Sequence, residues 1–317
     1  MPYAALRRLT GSSPPHANVR RTHGPVMPTL PQFLSQAFNG IAFGSLLALI
    51  SSGLTIILGM LGVVNFAHGA MFMLGAYTAF VVLSHGYSFV VALAAGAVVL
   101  LVVAVILERV LIRLYYDRPP EDQILVTFGL AVMIVEAVRY IFGNLSQQVP
   151  VPPWGIGIVN FGLFFYPLYR VEIIGIIAVL LFGLYLLLYH TSLGIAVRAG
   201  IEDPLMVGLL GVHVRRVFLI VFSLGAIAAG VAGVIYAPLA AVIPNMGDSF
   251  LVEAFVVVVI GGLGSFGGAV VGGIVVGELL SLTTLFNPAY SQAAIYAVMA
   301  VVLVVRPRGL FGTPGRA

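Results

Sequence analysis

Asn65 and His68 stand three residues apart in an otherwise apolar stretch, Gly59-Met-Leu-Gly-Val-Val-Asn65-Phe-Ala-His68-Gly69. An amide and an imidazole at that spacing can close a re-entrant turn onto backbone, or present hydrogen-bonding groups to a small polar solute. Metal chemistry has no footing, because the other histidines are scattered and no His-Glu-x-x-His or similar spacing occurs. Glu278 is a lone carboxylate in a glycine-rich apolar segment, a placement that suits either a helix-bridging contact or proton coupling. Glu136 and Arg139, also three apart, are placed to pair with each other. All 15 basic residues are arginine, which excludes a P-loop lysine, a Schiff-base lysine and a kinase-type lysine. Cysteine is absent, so thiolate chemistry and disulfides are excluded as well.

A second constellation lies between Glu202 and Gly211. Asp203-Pro204 reads as a helix start: the aspartate accepts from free N–H groups of the first turn, and proline has no N–H to leave unpaired there. Leu205, Met206, Leu209 and Leu210 then share one helical face, and Gly211 is placed to end the turn. Arg198, Arg215 and Arg216 flank this short helix and put it on the cytoplasmic side of a membrane. Its apolar face suits docking to a soluble partner. The other reading is a loop resting on lipid, although surface-lying helices usually carry basic residues on their polar face and none lies between Asp203 and His213.

The elements that position these residues are membrane helices. Hydrophobic residues make up 61% of the 317 and charged residues only 8%, and mean hydropathy is +1.11. A soluble chain of this length needs far more charge to cover its surface. Apolar windows of spanning length occur at about Gln32–Ile50, Gly69–Leu83, Phe89–Leu107, Ile124–Ile141, Val171–Tyr189, Val217–Ala241 and Ala293–Val305. Shorter glycine-interrupted pieces lie at Gly53–Phe66, Leu251–Ile260 and Ala269–Leu282. The expectation is an all-α, polytopic membrane bundle with eight to ten transmembrane segments, some of them discontinuous or re-entrant. A β-barrel is excluded because the apolar runs are continuous and do not alternate. One central carboxylate costs roughly 2.5–3.5 kcal/mol against about 0.3–0.6 gained per apolar residue, so spans containing Glu136 or Glu278 still insert.

Arginine placement sets the orientation. Four clusters read as cytoplasmic: Arg7, Arg8, Arg20 and Arg21; Arg109, Arg113 and Arg118; Arg198, Arg215 and Arg216; and Arg306, Arg308 and Arg316. Gly143–Tyr169, with Pro150, Pro152, Pro153 and an interfacial Trp154, reads as an external loop. Residues 1–31 form an arginine- and proline-rich tail without an apolar h-region, so it is not a signal peptide, and Met27 is a second possible start. Residues 32–310 form the membrane domain, and 311–317 a short cytoplasmic tail. The basic balance, with pI near 9.5, reflects cytoplasmic arginines and not nucleic-acid binding, since no arginine cluster is interleaved with exposed aromatics.

Two glycine-rich interruptions lie in opposite halves: Gly59–Gly69, and Gly261-Gly-Leu-Gly264-Ser265-Phe-Gly-Gly268. Paired interruptions of this kind mark broken helices lining a transport pathway. Gly262-x-Gly264-x-x-Gly267 is superficially a dinucleotide fingerprint, but no soluble βαβ unit surrounds it and the expected acidic residue is missing. Close helix packing accounts for the glycines better, as in Gly40/Gly44, Gly273/Gly277 and Gly225/Ala229/Gly233.

Gly53-Leu-Thr-Ile-Ile-Leu-Gly59-Met-Leu-Gly62-Val-Val-Asn65-Phe-Ala-His68 resembles the signature of LivH-type permease subunits of branched-chain amino-acid ABC transporters. Arg198-Ala, Glu202-Asp203, Gly208-Leu-Leu-Gly211 and Arg216-Val resemble that family's cytoplasmic coupling loop. Gly261–Ala269 with Gly272-Gly and Glu278 is similar to its third block. The resemblance runs from about Pro31 to Leu310; the longer arginine-rich tail and Ala70 depart from the pattern. It implies a multi-pass protein of the bacterial inner membrane, partnered by a second, LivM-like permease, cytoplasmic ATP-binding subunits and an extracytoplasmic solute-binding protein. No cofactor is implied. Arg198, Glu202, Asp203, Leu205, Leu209 and Gly211 are then the expected ATPase-coupling residues, and Asn65, His68, Gly264 and Ser265 the expected pathway residues. Branched-chain amino acids are the first expected solute; urea or short amides, or a proton-coupled carrier using Glu278 and His68, are the alternatives.

Overall fold

The computed structural model describes residues 28–116 and 118–312. Eleven α-helices dominate those residues: α1 Leu30–Leu61, α2 His68–Ser84, α3 Phe89–Val110, α4 Pro120–Phe142, α5 Leu168–His190, α6 Ser192–Glu202, α7 Pro204–Leu209, α8 Val214–Tyr236, α9 Met246–Gly261, α10 Phe266–Phe286 and α11 Ser291–Val305. Among the described residues, seven helices are long and apolar enough to cross a membrane, and α2 is a shorter apolar one. A two-stranded antiparallel hairpin, β1 Ile158–Asn160 with β2 Phe165–Pro167, interrupts the all-helical plan in the loop before α5.

The expected break at Gly53 does not occur. Ser51, Ser52 and Gly53 lie inside one 32-residue helix that ends only at Gly62. There φ is +66°, a conformation natural to glycine, and the Gly62 N–H donates to the Leu58 carbonyl at 3.1 Å. Continuity is possible because the two hydroxyls return to backbone, Ser52 Oγ to Leu49 O at 2.7 Å and Ser51 Oγ to Ala254 O at 3.4 Å. The interruption is instead 62–67, after which the chain re-enters the bundle and α2 starts inside it. His68 lies level with Ile50, ~16 Å back from the end of α1 at 1.5 Å per residue.

This continuity corrects the expected sidedness of the start of α1. Pro28 and the start of α1 share a cleft with Phe164 and Leu285, on the face of the 143–167 loop. The far end of α1 instead packs beside α6 and α7. Of the ten arginines among the described residues, Arg109, Arg113, Arg118, Arg198, Arg215, Arg216, Arg306 and Arg308 gather at that far end. The positive-inside rule makes it the inner face, so α1 begins outside. Arg7, Arg8, Arg20, Arg21, Met27 and Arg316 lie outside the described residues. Leu310 and Phe311 are tied back by N–H bonds to the carbonyls of Ile260 at 2.8 Å and Gly261 at 3.0 Å.

The bundle is organised around α1 and α8, whose most apolar windows are 83% and 72% buried, against 6% to 22% for α3, α4, α5 and α11. The central pair is therefore packed in protein while the outer four present apolar surface to lipid. Glycine makes the close approaches possible, as its spacing predicts. Gly44 lies against the backbone of Gly273 and Gly277, Gly53 against Gly225, and the first turns of α2 and α9 touch through Gly69 and Gly247. Glu136 and Arg139 pair as expected, and Arg139 also donates to Asn245 Oδ1 at 2.6 Å. Trp154 packs on Phe89 and Tyr169 with ring centroids 5.4 and 5.8 Å away.

Candidate functional site

The inner face carries the short helix read from Asp203-Pro204. Asp203 caps α7 by accepting the Met206 N–H at 2.9 Å, and Gly211 turns the chain at φ +85°. Leu205, Leu209 and Leu210 are 75%, 74% and 77% exposed, so α7 is an apolar knob projecting from the arginine-rich end. Glu202 is exposed beside it. Arg198 turns inward: it donates to the Leu188 carbonyl and lies 5.0 Å over the Tyr189 ring. It therefore fixes α6 to the end of α5 and does not present its charge at the knob.

α6 itself, missed in the sequence, connects the knob to the bundle. Thr191 caps it by accepting the Gly194 N–H at 3.1 Å, Val197 is fully buried, and Gly200 packs on the Met60 methyl of α1. Ile201 lies beside the last turns of α1 and the connection between α9 and α10, since a Cβ built on Gly59 or Gly264 would stand 3.6 Å from its side chain. Leu205 and Leu209 border a cleft of about 670 Å³ shared with Met60, Gly62, Tyr116 and Phe218. α7 thus lies against the end of α1 and the start of the re-entrant segment at Gly62. Tyr116 closes this corner by donating to Glu108 Oε1 at 2.9 Å, and burial raises its own pKa.

The structure brings Asn65 and His68 together in that segment, both completely buried. Asn65 Oδ1 accepts the Ala67 N–H at 3.0 Å, its carbonyl accepts the His68 N–H at 3.3 Å, and His68 Nε2 lies 3.0 Å from the Ile50 carbonyl. Thr127 on α4 braces the same turn, accepting the Phe66 N–H at 3.1 Å and donating to the Val64 carbonyl at 3.2 Å. This is the turn-closing geometry; contact of either side chain with a solute requires the turn to open. Asn65→Ala is expected to lower thermal stability by about 1–3 kcal/mol, the cost of leaving the buried Ala67 N–H without its acceptor. A melt of the purified protein measures that loss, and transport measured on the folded fraction reads any pathway role separately.

Gly264 and Ser265 lie apart from that turn, at the inner end of the bundle. Gly264 has φ +79°, and Ser265 caps α10 by accepting the Gly268 N–H at 3.0 Å. Glu278 lies far from all four, its carboxyl against the Cα of Gly40 where an added Cβ would meet it at 2.6 Å. Sequence reasoning missed a polar group at the outer end. Arg170, in the first turn of α5, donates to Asn39 Oδ1, which also accepts from Tyr166 at 3.0 Å. It borders a cavity of about 340 Å³ between α1, α5, α8 and α10. The available signal was an arginine next to an external loop, against the distribution of the inner eight.

An exposed apolar knob on the inner face, two non-helical connections with Gly59 packed against Gly264 beside them, and an outer cavity fit a transport protein. Residues 36–303 match the family described as branched-chain amino acid transport system / permease component. The chain belongs to that family. It is 32% identical over 300 residues to the high-affinity branched-chain amino acid transport system permease protein LivH of Escherichia coli K12, covering 89% of this chain and 96% of that one. To BraD of Pseudomonas aeruginosa it is 30% identical over 305 residues, 91% and 98% of the two chains. LivM of Escherichia coli K12 is 28% identical over 293 residues, 83% of this chain and 67% of that one. No solved structure matches the chain. It is a multi-pass permease, and the similarity extends to both members of a LivH–LivM pair.

Proposed function

We propose that the chain is the permease subunit of an ATP-binding-cassette importer in the bacterial inner membrane, moving branched-chain amino acids inward. The carrying observation is the α7 knob: three leucines about three-quarters exposed at the arginine-rich face, joined through Gly200 and Met60 to the pathway helices. An apolar, uncharged protrusion of this kind is what a soluble ATPase can grip. The chain has no lysine for a phosphate-binding loop of its own. Coupling residues are Glu202, Asp203, Leu205, Leu209 and Gly211, with Arg198 positioning them. Asn65, His68, Gly264 and Ser265 form the two broken segments whose relative movement opens the pathway. A LivM-like permease is the second membrane partner, a solute-binding protein delivers cargo to the outer face, and ATP is hydrolysed on cytoplasmic subunits. Hydrolysis can drive the change only if the ATPase holds one conformation better than the other.

The test is uptake by the complex purified from its native membrane and reconstituted in proteoliposomes. Leucine uptake is expected to require ATP on the inner face and to be indifferent to an uncoupler. Uptake that persists without nucleotide and collapses with an uncoupler would replace this reading by a proton-coupled carrier using Glu278 and His68.

A further inference from the structure

We propose that the outer cavity bordered by Arg170 is a reception site that binds the solute through its carboxylate. The site rests on the amino-acid reading above and adds to it a residue and an orientation. Arg170 faces the cavity from the first turn of α5, a position where a cation opposes the positive end of the helix dipole. The fold keeps a guanidinium there without a carboxylate partner; the ion pair formed among the described residues is Arg139 with Glu136. The guanidinium makes the outer mouth of the cavity attractive to an anion.

The rest of the lining sets what kind of anion. Ser281 and Thr284 spend their hydroxyls on backbone, donating to Gln36 O at 2.5 Å and Leu280 O at 2.6 Å. Asn39 Oδ1 is occupied by Arg170 and Tyr166. The remaining wall is apolar, formed by Ala42, Phe43, Leu46 and Leu280 among others. One cation facing an aliphatic wall selects a small monocarboxylate carrying an apolar chain. The volume, about 340 Å³, lies at the small end of the roughly 300–1,000 Å³ of small-molecule sites. Tyr236 lines the cavity within electrostatic reach of both Arg170 and Glu253. Glu253 is buried on α9 with one carboxylate oxygen bonded to Gln292 at 3.3 Å and the other unpartnered. An amino group beside Tyr236 would lie toward that unpartnered carboxyl oxygen.

The experiment measures radiolabelled leucine bound to the purified complex in nanodiscs, without the solute-binding protein. It is competed with 4-methylpentanoate, which keeps the carboxylate, and 3-methylbutylamine, which keeps the amine. The acid is expected to displace leucine at least tenfold more effectively. Arg170→Gln is expected to weaken leucine binding at least tenfold and abolish that preference, while Arg170→Lys restores part of both. Equal displacement by the two analogues, unchanged binding in Arg170→Gln, or no leucine retained by the wild type would overturn the site. So would phospholipid held stoichiometrically by the wild type and lost in Arg170→Gln, which would assign the cation to a headgroup phosphate. ATP-dependent leucine uptake by the wild-type complex, run alongside, separates the two ideas: its failure removes the amino-acid reading, and its persistence with any negative result above removes the Arg170 site alone.

Discussion

Leu209→Asp is expected to uncouple ATP hydrolysis from transport: the complex should insert and fold, the ATPase turn over at its basal rate, and leucine uptake fall to background. The side chain is 74% exposed, so the substitution breaks little inside the permease. Its effect lies in the docked state, where a leucine contributes about 1.5–3 kcal/mol on burial and a carboxylate in its place adds a desolvation cost. A combined loss of about 3 kcal/mol or more weakens docking a hundredfold or more. Leu209→Met keeps apolar volume and should retain most uptake. The measurement pairs uptake in proteoliposomes with retention of the ATP-binding subunits on a tagged permease. A knob that merely rests on lipid gives a different result, with ATPase retention and uptake both unchanged in the aspartate variant.

The membrane helices were legible because each is an apolar run of spanning length, and the bundle has few places to put such runs except in lipid or against one another. The α7 cap was legible for an equally local reason: Asp-Pro followed by apolar residues at helical spacing has one favourable geometry, and Asp203 adopts it. What misled was Ser51-Ser52-Gly53, which reads as punctuation in water. Inside a bundle, hydroxyls satisfy themselves on carbonyls and glycine permits contact with Gly225, so the same residues strengthen the centre of α1. The error carried the start of α1 to the wrong face, since counting one additional crossing reverses sidedness.

The candidate sites divide in the same way. Asn65 and His68 were identifiable as polar residues in an apolar segment, but whether they bond backbone or solute depends on Ile50 and Thr127, which are distant in sequence. Arg170 went unnoticed because one arginine at a loop boundary carries no pattern; its meaning comes from the cavity that α1, α8 and α10 build around it. α6 was obscured by its own amphipathic mixture, and the 158–167 hairpin by its position among prolines and glycines. Local chemistry announces caps and spans. Pairings between remote helices require the fold.

Gly75→Val is expected to prevent assembly of the bundle. α2 crosses α8 where Gly75 meets Gly230 and Gly233 meets Phe72, and in both cases an added Cβ would overlap backbone atoms, chiefly the Gly230 and Phe72 carbonyls. A side chain can rotate away from a clash; a carbonyl inside a helix cannot. Restoring ordinary carbon contact at roughly 3.5–4.0 Å requires the two helices to separate along their whole crossing, losing dispersion contacts on both sides. Overpacking in a compliant core costs about 1–3 kcal/mol, and this rigid crossing exceeds that range. Gly129→Ala and Gly175→Ala, where a Cβ meets nothing within 4 Å, are the matched controls and should melt like the wild type. Size-exclusion profiles and melts in detergent read the difference. A well-folded Gly75→Val protein would mean that α2 and α8 do not cross this closely. α8 begins at Val214, directly beyond the knob, and Phe218 lines the cleft beneath it, so on the proposed coupling role that crossing is the joint against which α7 would work. A substitution that loosens it without unfolding the protein should reduce uptake per ATP hydrolysed before it reduces ATPase binding.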